Sequence, residues 1–491
     1  MRRSSSQSES RKFPRALLRR VCMLLGACSL VVSLCAFGQE YKEAQVDETL
    51  AGQKDSVLSG GDAKAVKDFM RKYYLARWTV RANAQNLVKF RQELETDATS
   101  RSGSAQQTLL KEAVDTLKSY AGSKDCYPAC RFNAALAIGM LNEVAGDRSG
   151  GGATPYAGAI TTLASMVNST KEVPDYVRLA ALIGLVRHAE LGIKDEKMAN
   201  SVKSLFAKIL DPTYAEERGI RAEVYEWFQE KALMGLASYK SPAGAKGGSG
   251  TLELFKRILD DGERSYDLRC LAARAIGDMD LDSLNNYNYL DLSKSLVLLA
   301  RDFCVDEMNY IDAELVRDVV KTAANQVGGG MTGGMGGGSG GMGSMGGMDM
   351  MGGGMGMSGG MGGGMSGTIQ NAKSMEAIVA RIQYGFDSIQ RAIKGVKNGG
   401  SGVQAKLSDS DEAQKAMKET LTKALDEFAE MNTFIKEGPS SSGGMMDMGG
   451  SGMMSGMGTG SANVNVDANS LKDHLLEKKI KFNELLGIDS Y

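Results

Sequence analysis

Histidine is scarce in this chain, with only two among 491 residues, and aromatic residues make up 6%. Zinc centres and general acid–base chemistry most often rely on imidazole, so a histidine-built metal site or catalytic base is disfavoured. His188 and His474 are each expected at a helix surface or a helix cap. A carbohydrate-cleaving cleft, with aromatic side chains around paired acids, is disfavoured by the same composition.

Recognisable catalytic and phosphate-binding motifs are also missing. The sequence contains no G-x-x-x-x-G-K-[ST] loop, and no G-x-S-x-G follows a predicted strand and precedes a helix. Paired acids such as Asp260-Asp261 are expected at solvated helix ends, and Trp78 and Trp227 are expected to pack inside. The sequence predicts a protein without enzymatic activity, and no cofactor is expected.

The N-terminus has the layout of an export signal. Residues 1–20 carry seven Lys or Arg, residues 21–38 are apolar, and Ala36-Phe37-Gly38 offers small residues for cleavage after Gly38. Two alternatives remain open: an uncleaved membrane anchor through residues 21–38, and lipoprotein processing at Cys28. Each of them implies export, so we expect the protein in the periplasm or cell envelope.

Removal of the signal changes the charge balance. Seven of the 58 basic residues but only one of the 59 acidic residues lie in residues 1–38, so the mature chain carries about −7. Nucleic-acid binding requires clustered Lys and Arg to neutralise phosphates. The sequence therefore predicts a protein partner and no nucleic acid.

Four cysteines follow the signal: Cys126, Cys130, Cys270 and Cys304. An even number in an exported protein is compatible with disulfides. Two interpretations stay open. The four are isolated buried thiols, or Cys126 pairs with Cys130 and Cys270 with Cys304.

Residues 61–327 show helical periodicity with almost no alternation typical of strands, which predicts an all-α region. A long helix is expected at 62–98, and two helices at 289–302 and 311–325 are expected to close the region. Between them the pattern R-x-x-A-A-x-A-I-G occurs at Arg131–Gly139 and again at Arg269–Gly277. Between these two, a further copy begins at Arg178 and a weaker one at Lys231.

The anchoring alanines of these copies, Ala134, Ala181, Ala232 and Ala272, are 47, 51 and 40 residues apart. An amphipathic segment precedes each copy, at 105–120, 156–168, 197–210 and 250–260. A helix pair of this size cannot bury its apolar face alone, so the repeats are expected to stack.

These units resemble HEAT repeats, whose second helix typically opens with Asp-x-Val-Arg and continues with Ala-Ala-x-Ala-Leu-Gly. Asp175-Tyr176-Val177-Arg178 and Asp267-Leu268-Arg269 are similar to that opening. The resemblance implies an α-solenoid that binds partners along a curved surface, without chemistry of its own. Within it, five residues are assigned to bonding between repeats: Arg131, Arg178, Arg269, Asp175 and Asp267.

Two low-complexity tracts interrupt the chain. Residues 328–367 contain 23 Gly and 11 Met, and residues 438–467 contain a second Gly/Met/Ser-rich tract. Such compositions predict flexible linkers. Thioethers are also soft metal ligands, so an alternative function is Cu(I) or Ag(I) binding. Its candidate ligands are Met345, Met348, Met350, Met351, Met355 and Met357.

The segments after each tract are helical. Apolar residues alternate at spacings of four and three from Met375 to Val396 and from Met417 to Ile435, which predicts an antiparallel helical hairpin over 368–437. Residues 468–491 predict a terminal amphipathic helix that begins near Ser470. Leu471, Leu475, Phe482 and Leu486 form its apolar stripe, with Lys478 among the residues of its polar side.

The sequence thus predicts an exported, non-enzymatic binding scaffold, with soft-metal binding as the alternative. The terminal helix either folds back on its own chain or docks on a partner, and the hairpin offers a route to self-association. The predicted organisation is an export signal or anchor (1–38), a linker (39–60), the solenoid (61–327), a linker (328–367), the hairpin (368–437), a linker (438–467) and the terminal helix (468–491).

Overall fold

The computed structural model describes residues 41–60, 62–146, 152–169, 173–284, 287–328, 366–396, 401–437 and 466–488. These residues are mainly helical, which confirms the all-α class. One short antiparallel ribbon joins β1 (Asn142–Val144) to β2 (Thr154–Pro155). The predicted export signal and nearly all of both Gly/Met-rich tracts lie outside the described residues. Among the described helices, none has the length and apolar character needed to cross a membrane.

The chain forms two compact units. The first extends to Ile258 and includes a short segment that begins at Asp278, and the second holds Leu259–Gly277, Asn288–Val396 and Ser401–Tyr491. Eleven helices belong mainly to the first unit within its described residues. They are α1 (Lys54–Gly60), α2 (Ala63–Phe69), α3 (Leu87–Thr99), α4 (Gly103–Gly122), α5 (Pro128–Met140), α6 (Ala157–Val167), α7 (Asp175–Leu191), α8 (Glu196–Ile209), α9 (Tyr214–Arg218), α10 (Ala222–Ala237) and α11 (Gly250–Asp260).

The second unit contains five helices in its described part: α12 (Tyr266–Gly277), α13 (Tyr289–Gly328), α14 (Ser366–Lys394), α15 (Glu412–Glu437) and α16 (Ala468–Leu486). Together with α4–α8 and α10–α11, α12 supplies the eight helices expected for the four predicted pairs. Small residues and helix-forming side chains thus place these helices where the periodicity indicates.

The single helix predicted over residues 62–98 is wrong. After α2 the chain makes a π-helical turn at Met70–Tyr74 and 3₁₀ turns at Ala76–Trp78 and Arg81–Asn86. The hydroxyl of Thr79 donates to the Ala76 carbonyl at 2.8 Å and accepts from the Ala44 amide at 2.8 Å. Side-chain bonds of this kind compete with the helical pattern, and Val80 is extended.

The two helices predicted at 289–302 and 311–325 are also wrong, because α13 is continuous from Tyr289 to Gly328. The segment between them has no Gly or Pro to end a helix. It also places Phe303, Cys304 and Ile311 in the core at no more than 1% exposure.

Helices α5 and α7 approach each other through glycine. A Cβ atom on Gly139 would lie 2.4 Å from the Cα of Gly184, closer than any real contact allows. The same helices bury Ala134, Ala135, Ala180 and Ala181 completely. Small side chains therefore set the separation of this helix pair, as the repeat pattern predicts.

The core of the second unit is a chain of aromatic rings that passes through all five helices. Tyr266 contacts Phe303 at 6.4 Å between ring centroids, Phe303 contacts Phe386 at 5.4 Å, and Phe386 contacts Phe428 at 5.2 Å. Phe428 contacts Phe482 at 5.6 Å, and the four phenylalanines are at most 1% exposed. Residues on both sides of each Gly/Met-rich tract thus share one core.

The helices α14 and α15 bury most of the predicted seams. The fully covered seam residues are Val379, Ile382, Phe386, Ile389 and Ile393 on α14, and Leu421, Ala424, Phe428, Met431 and Ile435 on α15. Helix α14 also packs closely on α13, because a Cβ on Gly385 would lie 2.2 Å from the Phe303 ring. The seam is therefore covered by helices of the same chain.

The terminal helix α16 starts at Ala468, slightly earlier than predicted, because the Asp467 carboxylate accepts from the amides of Asn469 and Ser470 at 2.9 and 3.0 Å. Leu471, Leu475 and Phe482 are fully buried within the second unit. The helix therefore packs on its own chain, in the fold-back arrangement.

The close approach of α5 and α7 gives a first prediction. Gly139→Ala should lower the free energy of unfolding of the first unit by roughly 1–3 kcal/mol, because the new methyl group meets backbone. Both tryptophans, Trp78 and Trp227, lie in this unit, so urea unfolding followed by tryptophan fluorescence measures it.

Gly122→Ala is the matched control, because nothing lies within 4 Å of a Cβ added at this helical position. It should leave stability unchanged or raise it by up to about 1 kcal/mol, as Ala favours helix over Gly. Equal stability of the two variants would contradict the close approach.

Candidate functional site

Two of the repeat arginines make the same bond. The Nε of Arg131 donates to the Ala121 carbonyl at 3.1 Å, and the Nε of Arg269 donates to the Leu259 carbonyl at 2.8 Å. The acceptor lies ten residues before the arginine in both cases, at the end of the preceding helix. The two side chains are buried, so each arginine satisfies a carbonyl group in the last turn of the helix that precedes it.

Arg178 and Asp175 extend this role to the following helices. The Nη1 of Arg178 donates to the Arg218 carbonyl at 3.0 Å, and Arg178 is only 1% exposed. Asp175 accepts from the Nε of Arg221 at 3.2 Å. Arg178 and Asp175 thus join the start of α7 to the chain that leads into α10.

Hydrogen bonds in the first unit recur between residues 46 to 50 positions apart. In four of the five bonds, an arginine or tyrosine side chain donates to a backbone carbonyl. The pairs are Tyr127 with Trp78, Arg187 with Gly139, Tyr214 with Val167, Arg218 with Asn168, and Arg221 with Asp175. Their separations are close to the spacings of the repeated sequence pattern, which are 47, 51 and 40 residues.

A charged cluster in the second unit surrounds Arg381 of α14, which the sequence did not single out. Its guanidinium contacts Asp267 at 3.1 Å, Asp306 at 3.1 Å and Glu307 at 2.5 Å. The Tyr310 ring lies under it at 4.9 Å. Three acids and one cation thus join α12, α13 and α14. Asp267, which the sequence assigned to bonding between repeats, makes its contact here with α14.

Glu307 is the least accessible acid of this cluster, with an exposure of 0%. Its Oε2 atom is buried and has no hydrogen-bond partner. Burial raises the pKa of Glu307 to about 7, against the opposing effect of Arg381. The carboxyl group therefore titrates near neutral pH within the folded unit.

Lys478 of α16 was predicted on the polar side of the terminal helix, and this prediction is wrong. It is 0% exposed and its ammonium group contacts Glu427 at 2.7 Å and Glu430 of α15. Its spacing shows why: Leu471, Leu475, Lys478 and Phe482 follow one helical stripe. The lysine thus lies on the packed face and joins α16 to α15.

The two histidines differ from their predicted positions. His188 is 0% exposed on α7, neither ring nitrogen has a hydrogen-bond partner, and burial lowers its pKa to about 4. The expected surface or cap position for His188 is therefore wrong. His474 is half-buried on α16, and its ring stacks on Phe434 at 4.2 Å between centroids.

The tryptophans also divide. Trp78 is fully buried, as predicted, whereas Trp227 on α10 is 45% exposed, so its predicted packing position is wrong. The fully buried Phe228 beside it fills the helix-packing position instead. Trp227 is a large apolar side chain open to a partner.

The structure places only some of the predicted metal ligands and cysteines within the described residues. The six candidate methionine ligands, Met345 to Met357, lie outside them. Within the described ranges, no group of three or more His, Cys, Asp or Glu side chains could hold a metal ion. The four cysteines that follow the signal, all within the described residues, are buried free thiols, so neither of the two disulfides that the sequence left open is formed among them.

One groove of about 230 Å³ lies in the first unit beside α1 and α3, with Lys54, Lys89, Gln92, Glu93, Thr96 and Asp97 along it. Asp97 accepts from the Tyr74 hydroxyl at 2.5 Å and pairs with Lys54 at 2.7 Å. Glu93 pairs with Arg77 at 2.6 Å. Both acids of the groove, Glu93 and Asp97, are therefore paired with cations of the same unit.

Compared with protein-family models, with curated proteins and with solved structures, the chain matches none of them.

Two buried groups give opposite pH predictions. His188 has a folded pKa of about 4 and an unfolded pKa near 6.5, so the unfolded state binds more protons between these values. The stability of the first unit should be full above about pH 6.5 and fall by roughly 3 kcal/mol as the pH approaches 4. In His188→Leu, urea unfolding followed by tryptophan fluorescence should show a much weaker loss over the same range. If the free energy of unfolding falls equally with pH in the wild type and in His188→Leu, the buried neutral histidine is not the cause of the loss.

Glu307 should give the stability of the second unit the opposite pH dependence, with stability that falls as the pH rises. Its pKa in the folded state is about 7, above its ordinary value of 4.5. The protonated carboxyl group therefore stabilises the second unit below pH 4.5, and this stabilisation is lost as the pH rises through 7. The rate at which the buried Cys304 is alkylated in the folded protein is divided by its alkylation rate in the urea-unfolded chain at the same pH. This ratio measures how often the second unit opens. The ratio should rise with pH more steeply in the wild type than in Glu307→Gln. An identical slope in both would contradict the assignment.

Proposed function

We propose that the chain is an exported, non-enzymatic α-solenoid scaffold that binds another protein in the periplasm or cell envelope. The observation that carries this proposal is the series of hydrogen bonds between residues 46 to 50 positions apart. Bonds at one repeat length are expected when helix pairs stack on their neighbours. The resemblance to HEAT repeats supports the same architecture.

The use of the repeat arginines also supports a scaffold. Arg131, Arg178 and Arg269 donate to backbone carbonyls of neighbouring helices and are at most 7% exposed. These arginine side chains are bonded inside the protein, so the outer faces of the helices are the surfaces that remain for binding a partner. A solenoid offers such faces as one extended surface.

The hairpin and the terminal helix belong to this proposal as a second module. Gly395 and Ser401, which lie between α14 and α15 in sequence, form an antiparallel bridge. Phe386 of α14 contacts Phe428 of α15, as the interleaved seams of a helical pair would. This module packs with α12 and α13, so we assign it to the framework of the second unit.

The exposed side chain of Trp227 supports the outer face of α10 as the binding surface of this scaffold. Glu223 and Glu230 lie four residues before and three residues after it, so they share its side of the helix, and Glu230 also pairs with Lys231 at 2.9 Å. Exposed tryptophans supply much of the energy at protein interfaces, and an aromatic face flanked by acids favours a cation. A partner that presents basic and apolar side chains fits this surface and the acidic mature chain.

The test uses the full mature chain as bait in the envelope fraction of the cells that produce it. Trp227→Ala should lose at least one basic partner that the wild type captures, and higher salt should weaken the same capture. Val88→Ala is the control, since Val88 is also an exposed apolar residue of the first unit. It should keep the full set of partners.

Identical partners for Trp227→Ala and Val88→Ala at both salt concentrations would overturn the binding surface. If none of the three proteins captures a specific partner, the scaffold function itself is overturned.

A further inference from the structure

The terminal helix α16 packs against α13 and α15. Leu471, Leu475 and Phe482 of its apolar stripe are fully buried, and Phe482 contacts Phe428 of α15 at 5.6 Å between ring centroids. We call the surface of α13 and α15 that α16 covers the receiving face. The stripe of α16 and the receiving face together complete the core of the second unit.

Charge runs in one direction across this contact, since the lysines of its ion pairs lie on α16 and the acids on the receiving face. The pairs are Lys472 with Asp312 at 2.5 Å, Lys478 with Glu427 at 2.7 Å and with Glu430, and Lys481 with Glu427 at 3.2 Å and with Glu430 at 3.3 Å. Lys478 is 0% exposed, so it loses its hydration when the helix docks. The receiving face therefore fits a helix whose apolar stripe contains a lysine, which is the pattern of α16 itself.

The covalent link to α16 is long. The 28 residues 438–465 lie between the end of α15 and Val466, and covalent geometry lets them span at most about 100 Å. Helix α15, with 26 residues, is only about 39 Å long. A link of this reach does not restrict α16 to the receiving face of its own chain.

The same groups meet whichever copy of the chain supplies the helix, as in other exchanges of an identical element between copies. Docking within one chain is favoured by an effective concentration on the order of 1 mM. Exchange is therefore expected at comparable chain densities, or where docking within one chain is blocked.

We propose that two copies of this chain exchange α16, so that the α16 helix of each copy docks on the receiving face of the other. This contact does not depend on the proposed scaffold function, because it uses the second unit and leaves the exposed face of α10 unchanged.

The experiment uses two charge-reversed forms of the full mature chain. The face variant carries Glu427→Lys and Glu430→Lys, and the helix variant carries Lys478→Glu and Lys481→Glu. Within either variant like charges meet, so α16 should stay undocked and each variant alone should be a monomer. In an equal mixture opposite charges meet between chains, and one of the two contacts is the wild-type contact.

We expect the mixture to form a dimer of twice the mass by light scattering, at a concentration where the wild type is a monomer. Amide hydrogen exchange in residues 471–482 should slow in the mixture relative to each variant alone. The matched control carries all four substitutions in one chain. It should be a monomer with a slowly exchanging α16, because its charges match again within the chain.

A mixture that stays monomeric would overturn the proposal, since the wild-type contact is available in it whether or not the reversed contact is tolerated. A further control adds Leu475→Asp to both variants, which places a charge in the buried stripe and should abolish the dimer. A dimer that survives Leu475→Asp would show that the copies associate through another surface, and would also overturn the exchange of α16.

Discussion

The packing of four phenylalanines on one another is the interaction on which the second unit depends. Phe303, Phe386, Phe428 and Phe482 come from four different helices, and each ring contacts the next. Complete burial of one such side chain stabilises by about 1.5–3 kcal/mol, and aromatic pairs add about 0.5–1.5 kcal/mol each. Isolated helix pairs are marginal in water, so this shared core allows α14, α15 and α16 to be stable.

The buried charges beside this core have another role. Arg381 faces three acids and Lys478 faces two, and both cations lose most of their hydration. Desolvation offsets much of the attraction in such pairs, so their effect is on geometry rather than net stability. Each cation selects one register of its helix, because a shift by one turn would leave the buried Glu307 or the buried Lys478 without its partner. The apolar core supplies the stability, and the charges determine how the helices align.

The first unit uses a different principle. Glycine and alanine bring α5 and α7 together, and arginine and tyrosine side chains reach carbonyl groups of neighbouring helices. A helix end leaves carbonyls without partners, and a long side chain satisfies them without adding bulk between the helices. Several of these bonds span 47 to 50 residues of the chain, close to the length of the sequence pattern.

Most helices of both units could be predicted, because a repeated apolar period and small residues report local structure directly. The α2–α3 region could not, since the bond of Thr79 to the Ala76 carbonyl has no periodic signal. Arg381 was missed because its acidic partners are 74 to 114 residues away in sequence. The signal for Lys478 was present: it lies on the stripe of Leu471 and Phe482, but its charge argued for the opposite face. His188 was misplaced for the same reason, because a neutral buried imidazole looks polar in the sequence.

The aromatic chain also constrains how the protein is made. Synthesis produces Phe303 well before Phe482, with both Gly/Met-rich tracts between them, so the second unit closes late and through contacts distant in sequence. Such topologies fold slowly and leave apolar surface open meanwhile. A nascent chain therefore presents the uncovered face of α13 to chaperones and proteases until α16 emerges, and a product that stops earlier never covers it.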